Sequence, residues 1–140
     1  MFIIKAVGID LAKLVFSIYE INEHDKPKYL KTVKQNNLLA KIAKLPPCII
    51  GMEACSGAHY WAREFTKLLM MSVSWRLNLL SLYRQIEKND ANDAEAICEA
   101  VTRPKTRFVS IKSEEQQAVL CLHRFRQGAI KDRTARINRL

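Results

Sequence analysis

No apolar run in this 140-residue chain is long enough to cross a bilayer. The opening run Met1-Phe2-Ile3-Ile4-Lys5 is short and lacks a small-residue cleavage site, so no signal peptide is expected. Cytoplasmic placement follows as the expectation. Cysteine spacing is equally uninformative for metal: Cys48, Cys55, Cys98 and Cys121 form no C-x-x-C pair. Reduced thiols are expected rather than disulfides or a zinc site. The histidines His24, His59 and His123 are scattered. Cys55 and His59 could share a helix face, but two ligands do not make a metal site. Acids become scarce toward the end of the chain. Residues 101–140 hold ten Lys or Arg and three acids, so +7 of the +9 net charge lies there.

What is present suits one domain with a modest core. The 49% hydrophobic content argues against disorder. The basic last third points to a polyanionic partner, and on charge alone it equally suits a solvated basic helix.

Hydropathy patterning sets out the elements. Residues 3–9 read as a buried strand, 14–19 as a second, and 28–33 as an alternating third. Asn36-Asn37 can cap a short helix over 38–45, which Pro46-Pro47 stops. The apolar run 48–52 suits a central strand covered on both faces. A helix is expected over about 58–70, with Tyr60 and Trp61 as core residues rather than base-stacking ones, and another opens at Asp90 and runs through Val101. Phe108-Val109 suits a short strand. Ser113-Glu114-Glu115-Gln116 is a capping box that starts a long helix. Val119, Leu122, Phe125, Ala129, Ile130, Ile137 and Leu140 give that helix an apolar stripe, with Arg124, Arg126, Lys131, Arg133 and Arg136 expected on other faces.

Four carboxylates carry the chemistry. Asp10 closes Val7-Gly8-Ile9-Asp10, and Glu53 closes Ile50-Gly51-Met52-Glu53. Asp90 and Asp93 sit in Lys88-Asn89-Asp90-Ala91-Asn92-Asp93-Ala94. Two end strands and two share a helix face at spacing i, i+3. Carboxylates so placed can converge on one patch and hold a divalent metal for phosphodiester chemistry. Taken alone, Asp90 equally suits an N-cap and Asp93 a favourable place in the helix dipole.

These motifs, with Gly8-Ile9-Asp10-Leu11-Ala12-Lys13, Glu53-Ala54-Cys55-Ser56-Gly57-Ala58-His59-Tyr60, Ala100-Val101-Thr102-Arg103-Pro104 and Ser113-Glu114-Glu115-Gln116-Gln117-Ala118, resemble the amino-terminal domain of the Piv-like DEDD insertion-sequence transposases. The resemblance implies a ribonuclease-H-like (RuvC-like) α/β domain over residues 1–110. Its mixed sheet has flanking helices. Residues 111–140 would begin a long basic helix leading toward a second domain. It implies that Asp10, Glu53, Asp90 and Asp93 form an acidic tetrad for Mg²⁺, or Mn²⁺ in its place. DNA is the implied substrate. A structured guide RNA from the same element serves some members, and the long helix contributes to a homo-oligomer. Arg124, Arg126, Arg133 and Arg136 are the phosphate-contact candidates.

The chain departs from that family in two respects. It stops at Leu140, so the family's second domain with its nucleophilic serine is expected to be missing and the copy incomplete. Residues 69–87 also read unlike the family while keeping its spacing. Translation between two compensating frameshifts would produce this and would endanger the fifth strand; the coding DNA read in its other frames decides it. Two alternatives remain open at this stage, a non-catalytic nucleic-acid-binding remnant and a stand-alone resolvase-like nuclease. A sugar-kinase or actin-like domain is excluded by the lack of a glycine-rich phosphate loop after Asp10.

Overall fold

The computed structural model describes residues 4–24, 26–75, 90–102 and 107–139. Its first third is strand because short alternating segments rich in Val, Ile, Tyr and Phe are separated by polar turns. Strands β1 (Ile4–Asp10), β2 (Val15–Asn22) and β3 (Pro27–Lys34) pair in antiparallel fashion. A short 3-10 turn over Gln35–Asn37 leads into helix α1 (Leu38–Ile42), which is shorter than expected. Asn37 stands at its N-cap without a side-chain hydrogen bond, so the 3-10 turn starts this helix and the expected asparagine cap does not. Strand β4 (Ile49–Glu53), helix α2 (Ala58–Lys67) and strand β5 (Met71–Trp75) follow. Leu69 takes a left-handed φ of 62° just after α2, which turns the chain into β5 earlier than a helix to residue 70 would allow. Helices α3 (Asp90–Val101) and α4 (Glu114–Ile137) complete the described elements.

The five strands form one mixed sheet in the order β3-β2-β1-β4-β5. β4 pairs in parallel with both β1 and β5. The first part of the odd segment therefore does form the fifth strand, from Met71 to Trp75, with Glu53 opposite Trp75. The rest, 76–87, lies outside the described residues. The expected strand at 108–109 is a single bridge, Val109 to Ser74, closed by an N–H···O bond of 2.6 Å.

Each face of the sheet packs its own cluster, as strand alternation requires. Val7, Ile9, Phe16, Ile18, Ile50 and Met52 point to one side, where they meet Leu38 and Ile42 of α1 and Trp61, Ala62 and Phe65 of α2. Trp61 meets Phe16 edge-on at a centroid distance of 5.4 Å and stacks on Phe65 at 5.9 Å. Trp61 is thus a core residue as expected; Tyr60, one position before it, is exposed and is not. Ala6, Tyr19 and Ile21 point to the other side and pack against Ala94, Ile97, Cys98 and Val101 of α3. Among the described residues no helix is long and apolar enough to cross a membrane.

Candidate functional site

Asp10 and Glu53 end neighbouring parallel strands. The register pairs Ile9 with Met52, so Asp10 and Glu53 are the next residues along both chains. Adjacent strands lie about 5 Å apart, so the two carboxylate positions start side by side. Ile9 and Met52 are fully buried toward α1 and α2. Their successors therefore turn to the opposite face, the one that carries α3. Asp10 also stands directly across from Ser17, which is buried beside Tyr19 on that same face. Both carboxyl residues are half-buried.

Helix α3 crosses this face against the run of β1. Gly8 makes the crossing close: a Cβ there would meet Ala94 O at 2.2 Å and Cys98 N at 2.7 Å. Gly8 also pairs across the sheet with Gly51, so two adjacent positions leave the face without side chains. The Cys98 thiol donates to Ala6 O at 3.6 Å, one step further down the strand. The turn from Ala94 to Cys98 thus lies over Gly8, and Asp90 opens the same helix four residues before that turn. The side chains of Asp90 and Asp93 lie outside the described residues.

A tyrosine fixes that helix. The Tyr19 hydroxyl donates to Glu95 Oε1 at 3.0 Å, two residues after Asp93. Burial, with the Glu95 carboxylate as acceptor, pushes the Tyr19 phenol up to about 12. It stays protonated, and stays a donor, across the physiological range.

The donor set is all oxygen, which suits a hard cation such as Mg²⁺ better than zinc. Among the described residues no three His, Cys, Asp or Glu side chains gather as a metal-binding group. The structure brings together Asp10 and Glu53 and packs α3 over the face to which they turn. Cys55 and His59 do not share a helix face, because Cys55 precedes α2 in the turn after Glu53.

That turn opens onto a cleft of about 560 Å³, walled by Ala54, Cys55, Ser56 and His59 on one side and by Lys112, Gln117, Cys121 and Arg124 on the other. Two residues of α2 pin the second wall. His59 Nδ1 accepts the Lys112 backbone N–H at 3.2 Å. Arg63 Nη1 donates to Lys112 O at 2.7 Å and to Gln117 Oε1 at 2.6 Å. Burial, and then the charges of Lys112, Arg63 and Arg124, hold the His59 imidazole below its ordinary value. The sequence raises His59 only as a possible neighbour of Cys55 and does not point to Arg63 or Lys112. Pairings 49 to 54 residues apart leave no local pattern, although His59 does sit in the motif after Glu53.

Helix α4 starts as expected. Ser113 Oγ accepts the Gln116 N–H at 3.2 Å, and Gln116 Oε1 accepts the Ser113 N–H at 3.0 Å. Of the arginine candidates, Arg124 lines the cleft, while Arg126, Arg133 and Arg136 lie exposed along the helix. At about 100° per residue, Arg126 and Arg133 fall within the band of Val119, Leu122 and Ile130 rather than on another face. The expectation of segregated faces is corrected to a mixed band. The cleft wall of Gln117, Leu120, Cys121 and Arg124 is a separate face of the same helix.

Similarity to known proteins agrees with this geometry. A transposase family model of the DEDD, IS110 type matches residues 7–140. The chain is 41% identical over 135 residues to a "Probable family 20 transposase" of Pseudomonas aeruginosa, covering 96% of this chain and 40% of that protein. It is 39% identical over 137 residues to the transposase for insertion sequence element IS1111A of Coxiella burnetii, covering 98% and 38%. It is 36% identical over 137 residues to the transposase for element IS1328 of Yersinia enterocolitica, covering 98% and 41%. The chain thus spans roughly two fifths of the length of these curated relatives. With the acidic strand ends, the helix laid over Gly8 and a match across nearly its whole length, the chain belongs to the DEDD transposase family.

Proposed function

We propose that the chain is the catalytic domain of an insertion-sequence DNA transposase, of ribonuclease-H-like (RuvC-like) fold, acting in DNA strand cleavage and transfer. What supports this reading is that Asp10 and Glu53 close neighbouring parallel strands, with α3 packed over Gly8 on the face they turn to. The sheet order, with an antiparallel β1-β2-β3 run and a parallel β1-β4-β5 run, supports the fold assignment.

Asp10, Glu53, Asp90 and Asp93 would hold Mg²⁺ or Mn²⁺. The bound metal would polarise the scissile phosphate and stabilise charge on the attacking and leaving oxygens. The chain's own contribution is placement. Gly8 lets α3 lie close against the sheet and Tyr19 holds it there, so its first turn would reach the strand ends. Arg124, Arg126, Arg133 and Arg136 would meet DNA phosphates, or those of a guide RNA from the same element, and α4 would join a second copy. A metal-independent nucleic-acid-binding role is the second reading, favoured by the basic exposed length of α4.

Thermal melting with and without Mg²⁺ or Mn²⁺ separates the two. Carboxylates gathered without metal repel, so metal binding should raise the wild-type midpoint. Asp10→Asn should lose that response and melt at or slightly above the metal-free wild type. A metal response equal in both proteins removes Asp10 from the site. A cooperative melt indifferent to metal in the wild type supports the binding role.

A further inference from the structure

We propose that the cleft between the Glu53–Gly57 turn and α4 holds the phosphodiester backbone of a DNA strand and leads it past the carboxylates. The inference rests on the DNA reading above but not on the metal, and it assigns positioning roles to Lys112 and Arg124.

The cleft wall begins at Ala54, the residue directly after Glu53. A strand seated there would pass the end of β4, one residue beyond Glu53. Lys112 and Arg124 supply positive charge, and among the described residues no carboxylate lines the cleft. Neither makes a salt bridge among the described residues. The amino terminus of α2 opens onto the same space. It has no side-chain cap and no acid in its first turn, so neither offsets its partial positive charge. His59 adds a neutral donor. Its Nδ1 accepts from Lys112, which leaves the proton of the uncharged ring on Nε2.

A cation is a poor fit for this space. Cys55, His59 and Cys121 all line it, yet they do not gather as a metal-binding group, and Lys112 and Arg124 share the walls. The volume, about 560 Å³, exceeds what one phosphate needs and suits a backbone segment with its sugars. Arg124 to the backbone is a positional contact and carries no base information.

Cys55 and Cys121 are exposed free thiols on opposite walls and serve as built-in reporters. The test uses the whole chain in EDTA, with a fluorescent twelve-nucleotide oligothymidylate as probe. Alkylation by iodoacetamide is followed at each cysteine by mass spectrometry, and affinity by anisotropy across salt. Binding should slow alkylation of Cys55 and Cys121 several-fold. Lys112→Gln with Arg124→Gln should weaken affinity on the order of tenfold and lower the salt slope by about 1.4, at about 0.7 per lost single-strand contact. Lys44→Gln with Lys41→Gln removes the same two charges before β4, at the far end from Glu53, and should change neither.

Binding without protection of the two thiols overturns the cleft and leaves the DNA reading intact. No binding overturns both. Equal protection by inorganic phosphate at matched phosphate concentration makes the cleft a small-anion pocket and overturns the strand. Protection by oligouridylate alone transfers the cleft to RNA and overturns it as a DNA channel.

Discussion

Gly8 shows how much of the site depends on an atom that is missing. Its hydrogen faces the backbone of α3, and a methyl group there would sit 2.2 Å from Ala94 O. Backbone cannot swing aside as a side chain can. Gly8→Ala should therefore push α3 off the sheet and cost about 2–3 kcal/mol, at the upper end of overpacking penalties. It should also abolish any metal response, because Asp90 and Asp93 travel with the helix. Chemical denaturation with and without Mg²⁺ reads both effects, and a variant as stable as wild type would show that the helix can lie elsewhere. The sequence makes Asp10 and Glu53 readable because each closes an apolar run, where a carboxylate is out of place unless the strand ends there. It offers no hint of Gly8's role, since a glycine before Ile9-Asp10 looks the same whether a turn or a helix demands it. His59 and Lys112 were hidden for a different reason: their bond joins residues 53 apart.

At the scale of elements, the strands and the long capped helix were legible and the short helices were not. The alternation of β1 to β3 and the Ser113–Gln116 box are local signals, and local signals survive folding. The ends of α1 and α2 are set by tertiary geometry, by a 3-10 turn before one and by Leu69 after the other. Strand β5 was hardest, because Met71–Trp75 lacks the glycine and proline punctuation that marks a strand. Its parallel partner β4 imposes the extended form. The element that matters most for the site is α3, and its described hold on the sheet includes one polar clamp, Tyr19 to Glu95. Tyr19→Phe keeps the buried ring and deletes the donor. It should cost about 1.5–3 kcal/mol, as for a hydrogen bond to a charged group. Urea denaturation of the two proteins reads the loss, and a variant as stable as wild type would assign the clamp to packing alone.

Over the whole molecule, two demands on α4 pull in opposite directions, and salt separates them. The helix is 24 residues long and has no buried residue, while Leu122 and Phe125 are 71% and 78% exposed. Apolar side chains so exposed favour a second copy. Yet Arg126 and Arg133 interrupt the band, and residues 101–140 carry +7, so two such helices repel. Raising ionic strength from about 0.01 M to about 1 M shortens the screening length from roughly 30 Å to roughly 3 Å. Self-association driven by apolar contact should then strengthen, because only the repulsion is screened. Nucleic-acid affinity should fall steeply over the same range, because counterion release drives it. Sedimentation equilibrium should thus show a dimer favoured by salt and weakened by Phe125→Glu, beside oligonucleotide binding that salt abolishes. Self-association that weakens with salt would assign the contact to ion pairs and take the apolar band out of it. A wild-type chain that stays monomeric at every salt would leave that band to a partner other than a second copy.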